Sequence, residues 1–443
     1  MMQSAAISRW LARKPPAVLV VFAAFCAFAV YCCMYAFRKP FTVAAFNRLQ
    51  FMGVSYKVWL VTAQVLGYMC SKFYGIRFIS ALGAGHRAKT IVVLITAAWL
   101  ALLGFALTPA PWGVVWLLLN GFPLGMVWGV VFSYLEGRRA TELMGTVLAT
   151  SFILASGMMK SAGKWLLLDM GLSEQWMPFC CGAIFLLPML VATWLLHHVP
   201  PPSAADVAHR SVRLPMTAAE RLRLLQLLGP GLAAVMLTYV LLTVLRDLRD
   251  NFANELWTEL GFGASAAVFT HAEIPVSLVV LGAMGSLMLV RSNLKAFLFN
   301  HLIIICGFLL ALAATLLFSS GMLAPQLWMI LSGTGLYISY VPFNCLYFER
   351  MIAAFRLKGN VGFLMYLADA FGYLGSVLVL FVKEFWGLRL SWTAFFVQAI
   401  WVMSLMGILG TVMAALYFRK KHTGWPLQEA SPTRLPDPVV VAA

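Results

Sequence analysis

The sequence predicts an all-α polytopic membrane protein, with 12 transmembrane helices arranged as two six-helix halves. Three observations carry this: 62% of the 443 residues are hydrophobic, only 11% are charged, and the mean hydropathy is +0.87. A soluble globule carries about 25% charged residues, so that class is excluded. The apolar runs are continuous and do not alternate, which excludes a β-barrel.

Twelve apolar stretches can be laid out, at roughly 15–38, 54–76, 88–108, 111–135, 143–168, 176–198, 226–247, 264–290, 296–318, 323–348, 360–384 and 392–418. Each has about 20 residues or more, enough to cross the ~30 Å hydrocarbon layer. The first follows a basic leader (Arg9, Arg13, Lys14) in the manner of a secretory signal. Its apolar run is too long for one, and it ends in Arg38-Lys39-Pro40 where a small-residue cleavage site would be needed, so it reads as a span. Basic residues concentrate in the termini and in the loops after even-numbered spans: Arg77, Arg87, Lys89, Arg138, Arg139, Arg210, Arg213, Arg221, Arg223, Arg291, Lys295, Arg350, Arg356, Lys358 and Arg419 to Lys421. By the positive-inside rule both termini are expected in the cytoplasm, in a multi-pass protein of the cell (inner) membrane. The same bias accounts for much of the net charge of +16, so no nucleic-acid partner is called for. The eight cysteines (Cys26, Cys32, Cys33, Cys70, Cys180, Cys181, Cys306, Cys345) lie inside apolar spans and form no C-x-x-C pair. They read as small buried hydrophobes, and no metal site is expected.

The chain divides into an N-terminal six-helix half (1–198), a polar cytoplasmic linker (199–225), a C-terminal six-helix half (226–418) and a tail (419–443). The linker opens with Pro200-Pro201-Pro202 and continues with Asp206, Arg210, Arg213 and Glu220. The tail, with Pro426, Pro432, Pro436 and Pro438, is expected to be disordered. Gly121, Gly125 and Gly129 form a stripe on the fourth span, and Gly372 and Gly375 stand beside Ala368 on the eleventh. Such stripes let helices pack closely; the alternative is a kinked gating helix.

Two arginines occupy matching places. Arg38 closes Tyr31-x3-Tyr35-x2-Arg38 at the end of the first span, and Arg246 closes Tyr239-x3-Thr243-x2-Arg246 at the end of the seventh, each a single helical stripe. The spans also hold Lys57, Lys72, Lys160, Lys164, Glu273 and Asp369, with Lys39, Arg249 and Asp250 at their edges. With the two arginines, six cations inside the spans face two carboxylates, and that excess favours an anion between the halves. Arginine suits the role because its planar fork binds carboxylate or phosphate oxygens in pairs. Each residue has a blander reading. Arg38 lies about 33 Å along a helix from Pro16 and can snorkel to the outer surface. Arg246, followed by Asp247, Arg249 and Asp250, can belong to an external ion-pair cluster. Lys72, on a stripe with Gln64 and Tyr68, can snorkel into the cytoplasm. Lys160 and Lys164, sharing a face with Ser156, can pair with Glu273 or Asp369, and His271 reads as a packing or interface histidine. No phosphate-binding loop, G-x-S-x-G or H-E-x-x-H occurs, so no catalytic residue, enzyme activity or cofactor is expected.

A 6+6 chain with a basic central linker has the layout of a major facilitator transporter, in which the halves are parallel repeats. Beyond layout, Tyr31-x3-Tyr35-x2-Arg38-Lys39-x-Phe41 resembles the first-span motif of the organophosphate:phosphate antiporters. That major facilitator branch exchanges glycerol 3-phosphate or hexose 6-phosphate for inorganic phosphate. Tyr68-Met-Cys-Ser71-Lys72-Phe73, Gly121-x3-Gly125-x2-Trp128-Gly129, Tyr239 to Arg246 and Ala370-Phe371-Gly372-Tyr373-Leu374-Gly375 are similar to further stretches of the same branch. The resemblance implies that Arg38 and Arg246 hold the anion with Lys72 nearby. The fifth span departs from the pattern, reading Ser156-Gly157-Met158-Met159-Lys160 where the branch has a histidine, and Gly75 is not followed by x3-Asp-Arg. Through Tyr35 to Phe41 and Arg246 to Phe252 the chain is also similar to an uncharacterised bacterial family of major-facilitator-like membrane proteins.

The expectation is therefore a secondary active transporter of an organic anion, a phosphorylated metabolite exchanged for inorganic phosphate by alternating access. Its substrate-binding residues are Arg38, Arg246, Lys72, Tyr35, Tyr239 and Lys160, with Glu273 and Asp369 as proton carriers or charge partners. Anion:proton symport, and a transporter-like receptor sensing an external anion, are the alternatives. The expected partners are the small anion and the lipid bilayer, with the chain a monomer.

Overall fold

The computed structural model describes residues 5–46, 49–80, 82–203, 206, 218–357, 361–385 and 390–424. Among them are twelve long helices: Pro16–Tyr35, Tyr56–Ser80, Arg87–Leu107, Gly113–Phe132, Thr141–Leu168, Met177–His197, Ala218–Asn251, Val268–Met288, Asn293–Ser319, Pro325–Cys345, Val361–Phe385 and Trp392–Thr423. These are the first to twelfth spans. Ten are long and apolar enough to cross a membrane by length and composition, which makes the chain a multi-pass membrane protein. The other two, the second and the tenth, carry the polar residues that those criteria penalise. Lys57, Gln64 and Lys72 on the second and Ser332, Thr334 and Ser339 on the tenth are all buried inside the protein, away from lipid.

The two halves repeat one packing scheme. In the first half span 1 packs on spans 4, 5 and 6, span 2 on 4, and span 3 on 4 and 6. In the second half span 7 packs on 10, 11 and 12, span 8 on 10, and span 9 on 10 and 12, the same contacts displaced by six helices. Across the halves, span 5 packs on 8 and span 2 on 11, and these two contacts also exchange under the same relation. This is the parallel-repeat arrangement of two six-helix halves about one axis.

Several helix ends differ from the apolar runs. The first helix stops at Tyr35, three residues short of Arg38, and Pro40, which has no N–H to donate, keeps the helical ladder from continuing through this stretch. The chain instead turns, with the Arg38 amide on Tyr35 O at 3.1 Å, and enters a short 3₁₀ helix, Pro40–Val43. The seventh helix begins at Ala218, two turns before its apolar run, and the twelfth continues to Thr423. Those turns are more polar than the runs they extend, so hydropathy does not pick them out. Most of the linker and residues 425–443 of the tail lie outside the described residues.

The glycine stripes sit at helix contacts. A Cβ on Gly121 would lie 2.2 Å from the carbonyl oxygen of Gln64, and one on Gly125 would lie 1.8 Å from Ser71 Oγ, so the second and fourth spans pack backbone to backbone. On the eleventh span Gly372 and Gly375 meet Thr243 and Val240 of the seventh. Gly121→Ala is therefore expected to destabilise the protein by about 1–3 kcal/mol through overpacking. Gly282→Ala, with nothing within 4 Å of the new methyl, is the control and should leave the melting temperature in detergent unchanged or slightly raised.

Candidate functional site

The end of the first span is pinned from inside the bundle. Its last carbonyls lack helical partners, and Asn120 and Gln64 supply them. Asn120 Nδ2 donates to Phe37 O (3.0 Å) and Ala98 O (2.9 Å), while Gln64 Nε2 donates to Arg38 O (3.1 Å) and to Asn120 Oδ1 (2.8 Å). This fixes the Arg38 backbone at the interface between the halves. Its guanidinium lies over the Tyr68 ring at 4.1 Å and near that of Tyr35 at 5.8 Å, and the residue is 8% exposed. Snorkelling is thus corrected for Arg38: Pro40, Phe41, Thr42 and Val43 are buried around it, so the protein extends beyond its level. No carboxylate pairs with Arg38 among the described residues, and its Nε is buried with no hydrogen-bond partner.

Arg246 reaches the same place from the other half. Its guanidinium lies 4.3 Å from the Tyr340 ring and 6.0 Å from the Tyr373 ring, and Tyr373 meets Tyr68 edge to face at 5.5 Å. Two cation–aromatic contacts and one ring contact therefore join Arg38, Tyr68, Tyr373 and Arg246 across the interface. Unlike Arg38, Arg246 has an ion partner, Asp247, which is held in turn by Ser376 Oγ at 2.8 Å. Lys72, read as able to snorkel, is 6% exposed: it pairs with Asp369 across the halves at 3.2 Å and lies 5.1 Å from the Tyr68 ring. Asp369 also accepts from the hydroxyl of Tyr239, which contacts Tyr340 OH at 3.0 Å. The structure thus brings together Arg38, Arg246, Tyr35, Lys72, Tyr239 and Asp369.

Lys160 and Glu273 lie in a second layer, one turn along the seventh span. Asp250 stands four residues, about 6 Å of helix, beyond Arg246. It takes Lys39, Lys160 and Ser156 at once, while Lys39 also donates to Asn251 Oδ1 at 2.7 Å. Glu273 pairs with Arg249 at 2.6 Å. The pairing of Lys160 or Lys164 with Glu273 or Asp369 is therefore corrected: Lys160 goes to Asp250 and Lys164 to the Asn254 side chain (2.8 Å). His271 is exposed on the outer side of its helix.

Sequence reading singled out Tyr239 but not Tyr337, Tyr340, Tyr366 and Tyr373 of the second half, and it took the acids of the seventh span for an external cluster. Tyr366, Asp369 and Tyr373 fall at i, i+3 and i+7, and Tyr337 and Tyr340 at i and i+3, spacings that place them on common faces. Asp247 and Asp250 looked external because the apolar run ends at residue 247, whereas the helix continues buried to Asn251.

Comparison with known proteins places the chain more broadly. No curated protein matches it by sequence. Among solved structures it is similar to a D-xylose-proton symporter (14% identity, TM-score 0.58, covering 89% of this chain and 96% of that one). It is similar to the human organic anion transporter MFSD10 (TETRAN) at 15% identity and TM-score 0.55, over 90% of this chain and 100% of that one. A bacterial homologue of the human lysosomal transporter Spinster, in an inward-facing and unoccupied conformation, matches at 13% identity and TM-score 0.56, over 95% and 100% of the two chains. At such identities the likeness shows the fold, which is that of the major facilitators. Residues 40–421 match a family described as of unknown function, DUF5690, and the chain belongs to that family.

Proposed function

We propose that this chain is a secondary transporter of an organic anion, a phosphorylated metabolite exchanged for inorganic phosphate, with the ligand held between Arg38 and Arg246. The observation that carries the reading is the state of Arg38, buried on Tyr68 with its Nε unpartnered and no carboxylate beside it among the described residues. An unpaired guanidinium in low dielectric is costly, and an oxyanion that reaches it removes that cost. Charge balance extends the point. Around the two layers stand eight cations (Arg38, Lys39, Lys57, Lys72, Lys160, Lys164, Arg246, Arg249) and five carboxylates (Asp247, Asp250, Glu255, Glu273, Asp369). The positive excess favours a multiply charged anion such as a phosphate monoester.

Alternating access has a structural basis in where the halves are tied. At the end where odd-numbered spans finish, Lys39 and Lys160 share Asp250, Lys57 pairs with Glu255, Lys164 reaches Asn254, and Ser161 meets Thr270. At the other end Arg350 bridges to Glu142 at 2.9 Å. With both termini cytoplasmic, the first set closes the external side and opens in the outward-facing state. Ligand charge between Arg38 and Arg246 draws the halves together, the differential affinity that shifts such an equilibrium. The structural neighbours named as an organic anion transporter and an inward-facing transporter support this reading.

Asp369 favours a second reading, anion:proton symport, since it sits between Lys72 and Tyr239 and its protonation would release the lysine. Proteoliposomes loaded with phosphate decide between the two. Under exchange, labelled phosphate enters by counterflow and is insensitive to a proton ionophore, and Arg38→Ala or Arg246→Ala lowers the rate at least about tenfold, the scale of one lost charge-assisted hydrogen bond. Uptake driven by a pH gradient into phosphate-free vesicles, abolished by Asp369→Asn, would replace exchange by symport. Anion binding without flux under any gradient would overturn the transporter reading. Separately, Asp250→Asn leaves Lys39 and Lys160 buried without a carboxylate and is expected to cost about 3–5 kcal/mol, read as a lowered melting temperature.

A further inference from the structure

Arg246 and Asp247 are sequence neighbours on one helix, and side chains at i and i+1 point about 100° apart. Arg246 nevertheless folds back so that Nε (3.1 Å) and Nη2 (2.7 Å) both converge on a single oxygen, Asp247 Oδ1. The other oxygen, Oδ2, is taken by Ser376 Oγ of the eleventh span at 2.8 Å. A carboxylate or phosphate free to approach the guanidinium would give it two oxygens in parallel, the stronger arrangement. The pair therefore satisfies Arg246 with half of the available fork geometry, while the equivalent arginine of the other half, Arg38, has no such neighbour: Lys39 follows it.

Resting on the reading that Arg38 and Arg246 hold an anion, we propose that Asp247 is a tethered stand-in for the ligand's anionic group. In the empty site it neutralises Arg246. An arriving oxyanion takes the guanidinium with two oxygens, and Asp247 stays behind on Ser376. The competition lowers ligand affinity, and it assigns the halves different tasks. Arg38, with no carboxylate beside it among the described residues, captures the anion; Arg246 is released to it as the halves close. The preferred ligand carries an oxyanion with two or more equivalent oxygens, since a single-oxygen anion gains nothing over Asp247.

The test is a titration of the purified full-length protein with inorganic phosphate, by calorimetry and by melting temperature, at fixed pH and ionic strength with chloride as the reference anion. Asp247→Asn is expected to bind phosphate about tenfold or more tightly than wild type, because one charge-assisted interaction is no longer competed for. The gain should vanish in Asp247→Asn combined with Arg246→Ala, which separates it from a general rise in positive charge. Ser376→Ala keeps the charge and covers the case in which Asp247→Asn does not fold. It frees Oδ2 to complete the fork on Arg246, so phosphate should bind more weakly than to wild type. Equal or weaker binding by Asp247→Asn, with wild-type binding still lost in Arg38→Ala, would overturn the stand-in and leave the proposed function intact. Unchanged or tighter binding by Ser376→Ala would overturn it equally. Binding by Asp247→Asn alone would support the stand-in and remove phosphate as the wild-type ligand, whereas no binding by either protein would overturn both.

Discussion

Arg38 holds a positive charge in the protein interior, with the face of Tyr68 4.1 Å away and no carboxylate among the described residues beside it, and the surrounding polar architecture is organised by the cost of that placement. Moving a charge out of water costs several kcal/mol even after relaxation, on the order of the whole stability of a domain. The ring of Tyr68 returns part of this, at about 1–2 kcal/mol for a desolvated cation–aromatic contact. The backbone is held by Asn120 and Gln64, so the arginine cannot relax outward by unwinding the end of its helix. The remaining cost is carried by the fold, and in the proposed function an anion removes it.

Apart from Lys164, which reaches the Asn254 side chain, every other cation in the two layers has a carboxylate. Lys72 has Asp369, Arg246 has Asp247, Arg249 has Glu273, Lys57 has Glu255, and Lys39 and Lys160 share Asp250. Most of these pairs cross between the halves, so the interface is held by charge rather than by apolar packing alone. Within each half glycines bring helices to backbone contact, and Gly157 does the same between the halves, where a Cβ would lie 2.7 Å from Phe269 O. Gly333 shows how closely the two systems mesh: a Cβ there would lie 2.4 Å from Arg249 Nη2, so the tenth span makes room for the guanidinium that holds Glu273.

The twelve spans were legible because a membrane helix must be apolar for about 20 residues, and twelve runs of that length occur. The two arginines were legible because a repeat leaves matched residues at matched places. Helix ends were not: the seventh helix enters its apolar run through Glu220, Arg221 and Arg223, which belong to it structurally but not by hydropathy. Ion pairing was also illegible. Lys160 and Asp250 are 90 positions apart, and their contact depends on how the fifth and seventh spans face each other across the interface. Arg246 and Asp247 show the opposite failure, since adjacency in sequence looked like an exposed cluster and became a part-buried, bent-back pair. The tyrosines that line the site carry periodic spacing, yet tyrosine is common enough in apolar helices that spacing alone did not single them out.

The central claim is that Arg38 and Arg246 share one anion. An electron cryomicroscopy map of the protein with a saturating phosphate monoester tests it most directly. The account predicts density between the two guanidinium groups, within hydrogen-bond distance of both, with Arg38 Nε now partnered. A map in which Arg38 pairs with a carboxylate of the chain, or in which either guanidinium faces lipid or bulk water with no density between them, would contradict it.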